Sequence, residues 1–340
     1  MKNILVTGGA GFIGSNLVER LLSLENIPKV RVLDNFATGS RTNIEAFIGH
    51  PKFELIEGDI RDYATCLTAC ENIDIVSHQA ALGSVPRSIA DPLSTNAVNI
   101  TGTLNIFTAA KETGIKRVIY AASSSTYGDS TELPKSEHRI GKPLSPYAVT
   151  KYVNELYAEV FANLYGMEMM GLRYFNVFGP RQSPNGAYAA VIPLFLKHLL
   201  VNESPVIHGD GSTSRDFTYI ENVLQANCLA LFTENKAALN QVYNVACGES
   251  TTLKELFDAL KNILGSDVAP IYADNRIGNI AHSLADISKI QHLLGYQPTV
   301  KMEAGLRKTA AWFQRENGLI NPWKHKKHLK KPRKAKNTEG

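Results

Sequence analysis

The sequence predicts an α/β fold, a doubly wound parallel sheet of the Rossmann type with a smaller α/β substrate-binding lobe. Three observations carry this reading. The apolar triplet Ile4-Leu5-Val6 runs into the glycine-rich turn Thr7-Gly8-Gly9-Ala10-Gly11-Phe12-Ile13-Gly14, and an amphipathic stretch follows to Leu24. Short apolar runs then alternate with helical patterns as far as Arg173, as expected of parallel strands joined by crossover helices. Beyond Arg173 the regularity gives way to loops that mix aromatics, amides and glycines.

Each element follows from its residues. A strand, a tight glycine turn and a helix form a dinucleotide site: Gly8 permits the turn, Gly11 lets the backbone approach a pyrophosphate, and Gly14 allows close helix packing. The helix that starts at Phe12 and Ile13 turns its free amides and dipole toward the phosphates. The second strand, residues 30–33, ends in Asp34 and Asn35, with Asp34 twenty residues after Gly14. A carboxylate there accepts hydrogen bonds from the adenosine ribose and repels the extra phosphate of NADP, so NAD is the expected cofactor. Arg41 would suit a 2′-phosphate, but Asp34 outweighs it.

Phe53–Glu57 reads as the next strand, and Asp59 and Ile60 after it border the adenine position. Residues 74–78 form another, followed by Gln79, Ala80 and Ala81, which let the loop run close under the dinucleotide; His78 reads as a buried structural histidine. A long helical pattern over 92–113, carrying Asn96, Asn99 and Gly102, leads to the strand at 117–122 and to Ser123, Ser124 and Ser125 at its carboxyl end. Ser145 and Pro146 mark a helix start, since serine caps free amides and proline fits the first helical position. Tyr147 and Lys151, four apart, then share one helical face, and an ammonium beside the phenol favours the phenolate, a base for a substrate hydroxyl. On its own this spacing is common on amphipathic helices, where the tyrosine packs and the lysine is solvated. The helix stops near Gly166, and 169–173 give one more strand. Helices are expected at 191–201, 221–233, 253–264 and 303–316. The resulting division is a dinucleotide domain over 1–178, with about 217–247 returning to it, and a substrate lobe over 179–216 and 248–323. Arg215 and Arg276 are candidates to clamp a phosphate through bidentate hydrogen bonds.

Composition limits the alternatives. With 340 residues, 44% of them hydrophobic, the chain can bury a large core, and no apolar run approaches a membrane span. A cytoplasmic location is expected, since the first strand begins at once, and the four cysteines lack the paired spacing of a zinc site or disulfide framework. No metal is expected. The formal charge of +4 is concentrated at the end: eight Lys or Arg residues fall between Lys324 and Lys336, while the chain through Trp323 holds 28 basic and 31 acidic residues. The body therefore gives no sign of nucleic-acid binding. The tail over 324–340 has the composition of a disordered, solvated segment, with docking to an anionic surface as the lesser alternative.

The motifs TGGAGFIG, DNF, GDI, SSSTYG, SPYAVTK, RYFNVFGPRQ and SRDFTYI together resemble the extended short-chain dehydrogenase/reductase family of nucleotide-sugar enzymes. HQAALGSVPRS, SSSTYGDS, the long SPYAVTK helix and HSLADISK are similar to its UDP-N-acetylglucosamine 4-epimerases, over residues 2 to about 316. The resemblance implies a UDP-sugar substrate. It also implies that Tyr147 takes the proton from the sugar 4-hydroxyl as hydride leaves C4 for NAD⁺, that the 4-keto sugar turns over, and that hydride returns to its other face. Lys151 would hold the nicotinamide ribose. A serine would bridge Tyr147 and the sugar, with Ser123 at the family's usual position and Ser124 and Ser125 as alternatives. Ser84 would belong to the substrate loop, Asn176 would contact the substrate near its diphosphate, Arg215 and Arg276 would bind phosphate, and Ser283 would border the sugar's 2-substituent. The stretch Arg276-Ile277-Gly278-Asn279-Ile280-Ala281 departs from the family, which often has an aspartate and a base where Asn279 and Ala281 stand. A homodimer through helices 92–113 and 147–165 is expected by analogy. The rival readings are a 4,6-dehydratase, for which Ser124 and Ser125 replace the Asp-Glu pair that eliminates water, a uronic-acid epimerase, and a non-catalytic NAD(H)-sensing protein, which would need neither Tyr147 nor Lys151.

Overall fold

The computed structural model describes residues 1–185, 189–274 and 282–316. Alternation of apolar strands and amphipathic helices builds the first half: β1 (Ile4–Thr7), α1 (Phe12–Leu22), β2 (Val30–Asp34), β3 (Phe53–Glu57), α2 (Tyr63–Cys70), β4 (Ile75–His78), α3 (Val85–Ala90), α4 (Pro92–Asn96), α5 (Thr103–Glu112), β5 (Arg117–Ser123), α6 (Pro146–Tyr165) and β6 (Glu168–Tyr174). In the second half come β7 (Val177–Phe178), α7 (Val191–Leu200), β8 (Val206–His208), β9 (Ser214–Arg215), β10 (Thr218–Tyr219), α8 (Ile220–Phe232), β11 (Val242–Val245), β12 (Thr251–Thr252), α9 (Leu253–Leu264), β13 (Ile271–Ala273), α10 (Ser288–Leu294) and α11 (Met302–Glu316).

Seven strands form one parallel sheet in the order β11-β6-β5-β4-β1-β2-β3. The chain moves one way from β1 to β2 and β3, then crosses back so that β4 pairs with the other side of β1. The carboxyl ends of β1 and β4 therefore flank a crevice at the switch of direction, where ligands of such sheets bind. Thr7 pairs with His78 there, and Ser123 at the end of β5 pairs with Tyr174 at the end of β6. The expected fold class is found.

The expected single helix over 92–113 is interrupted. α4 and α5 are joined by a π-helical turn, Ala97–Gly102, which widens the backbone where Gly102 packs on Ile60. A Cβ at Gly102 would lie 2.6 Å from the Ile60 side chain. α6 follows the sequence closely: Ser145 Oγ accepts from the Ala148 amide, Pro146 occupies the first turn, and Gly166 ends the helix in the left-handed conformation. α10 was not anticipated, because its seven residues are too few to show a period. The main core cluster runs from Ile4 and Leu17 through Phe195 and Leu256 to Phe313, so the later helices pack into the same apolar interior as the sheet. Arg276, the Asn279 and Ala281 departures, and the 324–340 tail lie outside the described residues.

Candidate active site

The glycine turn between β1 and α1 has the shape its sequence requires. Gly8 has φ +67°, and a Cβ on it would stand 2.7 Å from the Ala80 backbone; one on Gly14 would stand 2.1 Å from the Gly8 carbonyl oxygen. Gly11, Phe12, Ile13 and Gly14 form one wall of a cleft of about 350 Å³. Asp34, Asn35, Asp59, Ile60, Gln79, Ala80 and Ala81 continue the lining, and Ser123, Tyr147 and Lys151 stand in it too. The structure thus brings to one cavity every residue that the sequence proposed for the dinucleotide.

Asp34 is held rigidly. Its Oδ2 accepts from the Ala10 amide at 2.8 Å and its Oδ1 from the Phe36 amide at 2.8 Å, while burial pushes its pKa up against those hydrogen bonds. Asn35 donates to Asp59 at 2.8 Å, and Arg61 beside Asp59 holds that carboxyl down at about 2. Arg41 pairs with Glu57 and stacks on Phe36, so its guanidinium is already engaged. His78 is the structural histidine expected: its Nδ1 meets Thr7 Oγ1 at 2.7 Å and its Nε2 meets Thr103 Oγ1 at 2.9 Å, and burial pushes its pKa down to about 3. It bears no charge at neutral pH.

At the other end of the cleft the Ser123 hydroxyl stands beside Tyr147 and opposes the upward shift of its pKa. Ser123 accepts from the Ser125 amide and the Ser125 hydroxyl, at 3.1 and 2.9 Å. Ser123 lines the cleft, whereas Ser124 and Ser125 are not among its lining residues. One expectation needs correction. Burial raises the Tyr147 pKa, the Ser123 hydroxyl opposes it, and Lys151 does not contribute. Lys151 instead donates to the Ala121 carbonyl at 2.8 Å, and burial pushes its own pKa down to about 8. Among the protein's own groups, a shared helical face does not offset the burial that raises the Tyr147 pKa. Residues that cradle a dinucleotide and end at Tyr147 fit NAD, whose nicotinamide is cationic when oxidised.

A second cavity, of about 290 Å³, contains Asn176 and Arg215 together with Phe195, Ile207 and Phe217. Asn176 adopts φ +36°, tolerable for asparagine, and donates to the Asp216 carbonyl at 3.0 Å. Burial lowers the Arg215 pKa, and one of its nitrogens donates to the Ser214 carbonyl at 2.8 Å. Ser84 caps α3, its Oγ accepting from the Arg87 amide at 3.2 Å, and is not among the residues lining either cavity. Ser283 is half-buried and donates its amide to the Ser214 carbonyl at 3.1 Å.

Three residues at the site stand in stretches that the sequence singles out, without a role assigned to them there. Tyr174 lines the cleft and binds Gln79 and Asn227. Asn99, in the π turn, accepts from the Leu82 amide and donates to Thr150 Oγ1, tying the loop under the cleft to the helix of Lys151. Asp216 is fully buried behind Arg215. Asn99 lies within the π turn Ala97–Gly102.

Comparison with known proteins agrees with this geometry. Residues 4–246 match the model of the NAD dependent epimerase/dehydratase family. A putative UDP-glucose 4-epimerase of Methanocaldococcus jannaschii is 38% identical, over 92% of this chain and 99% of that protein. The UDP-glucose 4-epimerase of Mycolicibacterium smegmatis is 35% identical over 92% and 99%. Among solved structures, the UDP-N-acetylglucosamine 4-epimerase of Methanobrevibacter ruminantium, in complex with UDP-N-acetylmuramic acid, is 43% identical, covers 93% of this chain and 99% of that one, and superposes with a TM-score of 0.87. A dTDP-glucose 4,6-dehydratase of Streptomyces venezuelae with NAD bound is 30% identical, covers 94% of this chain and 99% of that one, and has a TM-score of 0.87. The glycine cradle, the Asp34 anchor and these matches over most of the chain make it a member of the NAD-dependent epimerase/dehydratase family, within the extended short-chain dehydrogenases/reductases, with NAD as its cofactor.

Proposed function

We propose that the chain is a UDP-sugar 4-epimerase that interconverts UDP-GlcNAc and UDP-GalNAc, with UDP-Glc and UDP-Gal as poorer substrates. The observation that carries the reading is that the end of β6 supplies a residue to the dinucleotide cleft and, two positions on, the chain supplies one to the second cavity. Tyr174 lines the dinucleotide cleft and Asn176 the second cavity, with only Phe175 between them. A nucleotide sugar held by Asn176 and Arg215 has its diphosphate beside a guanidinium, which suits paired phosphate oxygens, and its sugar is directed toward Tyr147. The 43% identical N-acetylglucosamine epimerase supports the choice of sugar. Residues 1–178 with 217–247 then serve as the cofactor domain, and 179–216 with 248–323 as the substrate lobe.

NAD, when bound, supplies reversible hydride exchange at the sugar's C4. The protein's own groups handle the proton. Tyr147 accepts it from the 4-hydroxyl and returns it after the flat 4-keto sugar has turned over, and Ser123 holds the phenol and the sugar oxygen in register. Lys151 orients the nicotinamide ribose. A 4,6-elimination needs a carboxyl acid and base next to the serine, where this chain has Ser124 and Ser125, so hydride return is the open route.

Exposed apolar residues on α6 support a homodimer. Val149, Leu156, Val160 and Leu164 recur at helical spacing, and Leu164 is 71% exposed; Leu93 on the adjoining α4 is 82% exposed. A stripe of this kind on the solvent side of α6 fits a second copy of the same face, as two-fold assembly requires.

Substrate breadth rests on Ser283. A phenol ring there would overlap an acetamido group in at least one of the two orientations the flipped sugar adopts, and overpacking of this kind costs ~1–3 kcal/mol. Ser283→Tyr should abolish turnover of UDP-GlcNAc and spare UDP-Glc, as read by chromatographic separation of the epimers. A variant that epimerises UDP-GlcNAc at the parent's rate would remove Ser283 from the sugar wall.

A further inference from the structure

Asp216 is fully buried, and the Lys301 ammonium acts on it through the electrostatic field. Its oxygens are taken by backbone amides from two separate loops. Oδ1 accepts from Cys247 at 3.0 Å, and Oδ2 accepts from Gly248 at 3.0 Å and from Ala285 at 3.3 Å. The same residue's carbonyl receives the Asn176 side chain, and the residues on either side, Arg215 and Phe217, line the second cavity. Two residues before Asp216, Ser214 Oγ meets His282 Nδ1 and Ser250 Oγ, each at 2.9 Å, and the Ser214 carbonyl accepts from Ser283.

We propose that Asp216 is a positioning residue for sugar specificity: its carboxylate fixes the 282–285 strap, and with it Ser283, at a set distance from the Asn176 and Arg215 nucleotide site. This rests on the epimerase reading of the second cavity and on Ser283 as the sugar wall. A buried carboxylate can accept several amide hydrogen bonds at once, whereas a carboxamide must turn an N–H₂ toward at least one of those amides. Its oxygens accept from the amides of Cys247, Gly248 and Ala285, so the carboxylate joins the two loops directly. Burial pushes its pKa up to about 6, consistent with a group kept for what it holds in place rather than for its own solvation.

The test is Asp216→Asn in the full-length protein, with UDP, UDP-GlcNAc and UDP-Glc as probes. Loss of one acceptor from a network of amides should shift the ratio of kcat/KM for UDP-GlcNAc to that for UDP-Glc by roughly tenfold. The affinity for UDP alone should change less than about threefold, and NAD should be retained through purification, because Asn176 is held by the unaltered backbone carbonyl. A role confined to stability would lower the melting temperature and every affinity together and leave the ratio alone, and that result overturns the proposal. An unchanged ratio with an unchanged melting temperature overturns it as well. Ser214→Ala loosens the same strap at His282 and Ser250 and carries the test if Asp216→Asn does not fold; it should move the ratio in the same direction, and an unchanged ratio counts against the proposal. The parent's own preference between the two sugars and the Ser283→Tyr variant report separately on the underlying reading.

Discussion

At the scale of single residues, the chemistry of the site depends on what burial does to two groups. Lys151 ionises near 8 in the folded protein against 10.5 for an exposed lysine. Between those values the unfolded chain binds more protons than the folded one, so this group makes stability rise as pH climbs from 8 to 10.5, and at neutral pH it opposes folding by on the order of 3 kcal/mol. Lys151→Met should therefore keep or raise the melting temperature at pH 7, flatten its rise between pH 8 and 10.5, and lose both NAD retention and turnover. A variant that melts well below the parent at pH 7 would show the ammonium to be stabilising. Tyr147, Lys151 and the serine run were legible because their spacing from Pro146 and from the strand end fixes where they stand. Which serine of the run lines the cleft, and the upward rather than downward shift of the Tyr147 pKa, were not. Both depend on which neighbour the folded backbone turns toward each group.

At the scale of elements, α6 and β6 are locked by one buried ion pair. Arg173 on β6 gives Glu155 on α6 two hydrogen bonds, at 2.9 and 2.7 Å, and its guanidinium lies 4.9 Å from the Tyr127 ring centroid. Glu155 is one helical turn beyond Lys151, so the pair sets the height of the catalytic helix over the sheet. Removing one partner leaves a buried charge and should cost about 3–5 kcal/mol, whereas replacing both by apolar residues of similar volume is often neutral. Glu155→Met and Arg173→Met should each lower the denaturation midpoint strongly, and the double variant should recover most of the loss. Additive losses would mean that each side chain has other essential partners. The start and stop of α6 were legible in Ser145-Pro146 and Gly166, which cap through local chemistry. The π turn between α4 and α5 was not, because one extra residue in a helix leaves the apolar period almost unchanged.

At the scale of the whole molecule, the parallel sheet followed from the early alternation of strands and helices, while its strand order came only from the fold. The small paired strands of the second half, most of two or three residues, were not legible: no two-residue period exists to be read. Nor was Asp216 readable as a junction, since its partners are amides 31, 32 and 69 residues away and amides carry no sequence signature. The α6 stripe leads to an assembly prediction: the parent should scatter light as a dimer at micromolar concentration, and Leu156→Lys with Leu164→Glu should give a folded protein of half that mass. A monomeric parent would contradict it. The central claim, epimerisation at C4 with Tyr147 as the proton acceptor, is tested most directly by incubating the parent and Tyr147→Phe with UDP-GlcNAc and separating the products. The parent should yield the axial C4 epimer with no net reduction of NAD, and Tyr147→Phe should do so at least roughly 100-fold more slowly. A 4-keto-6-deoxy product, unreacted sugar with the parent, or full activity in Tyr147→Phe would contradict the account.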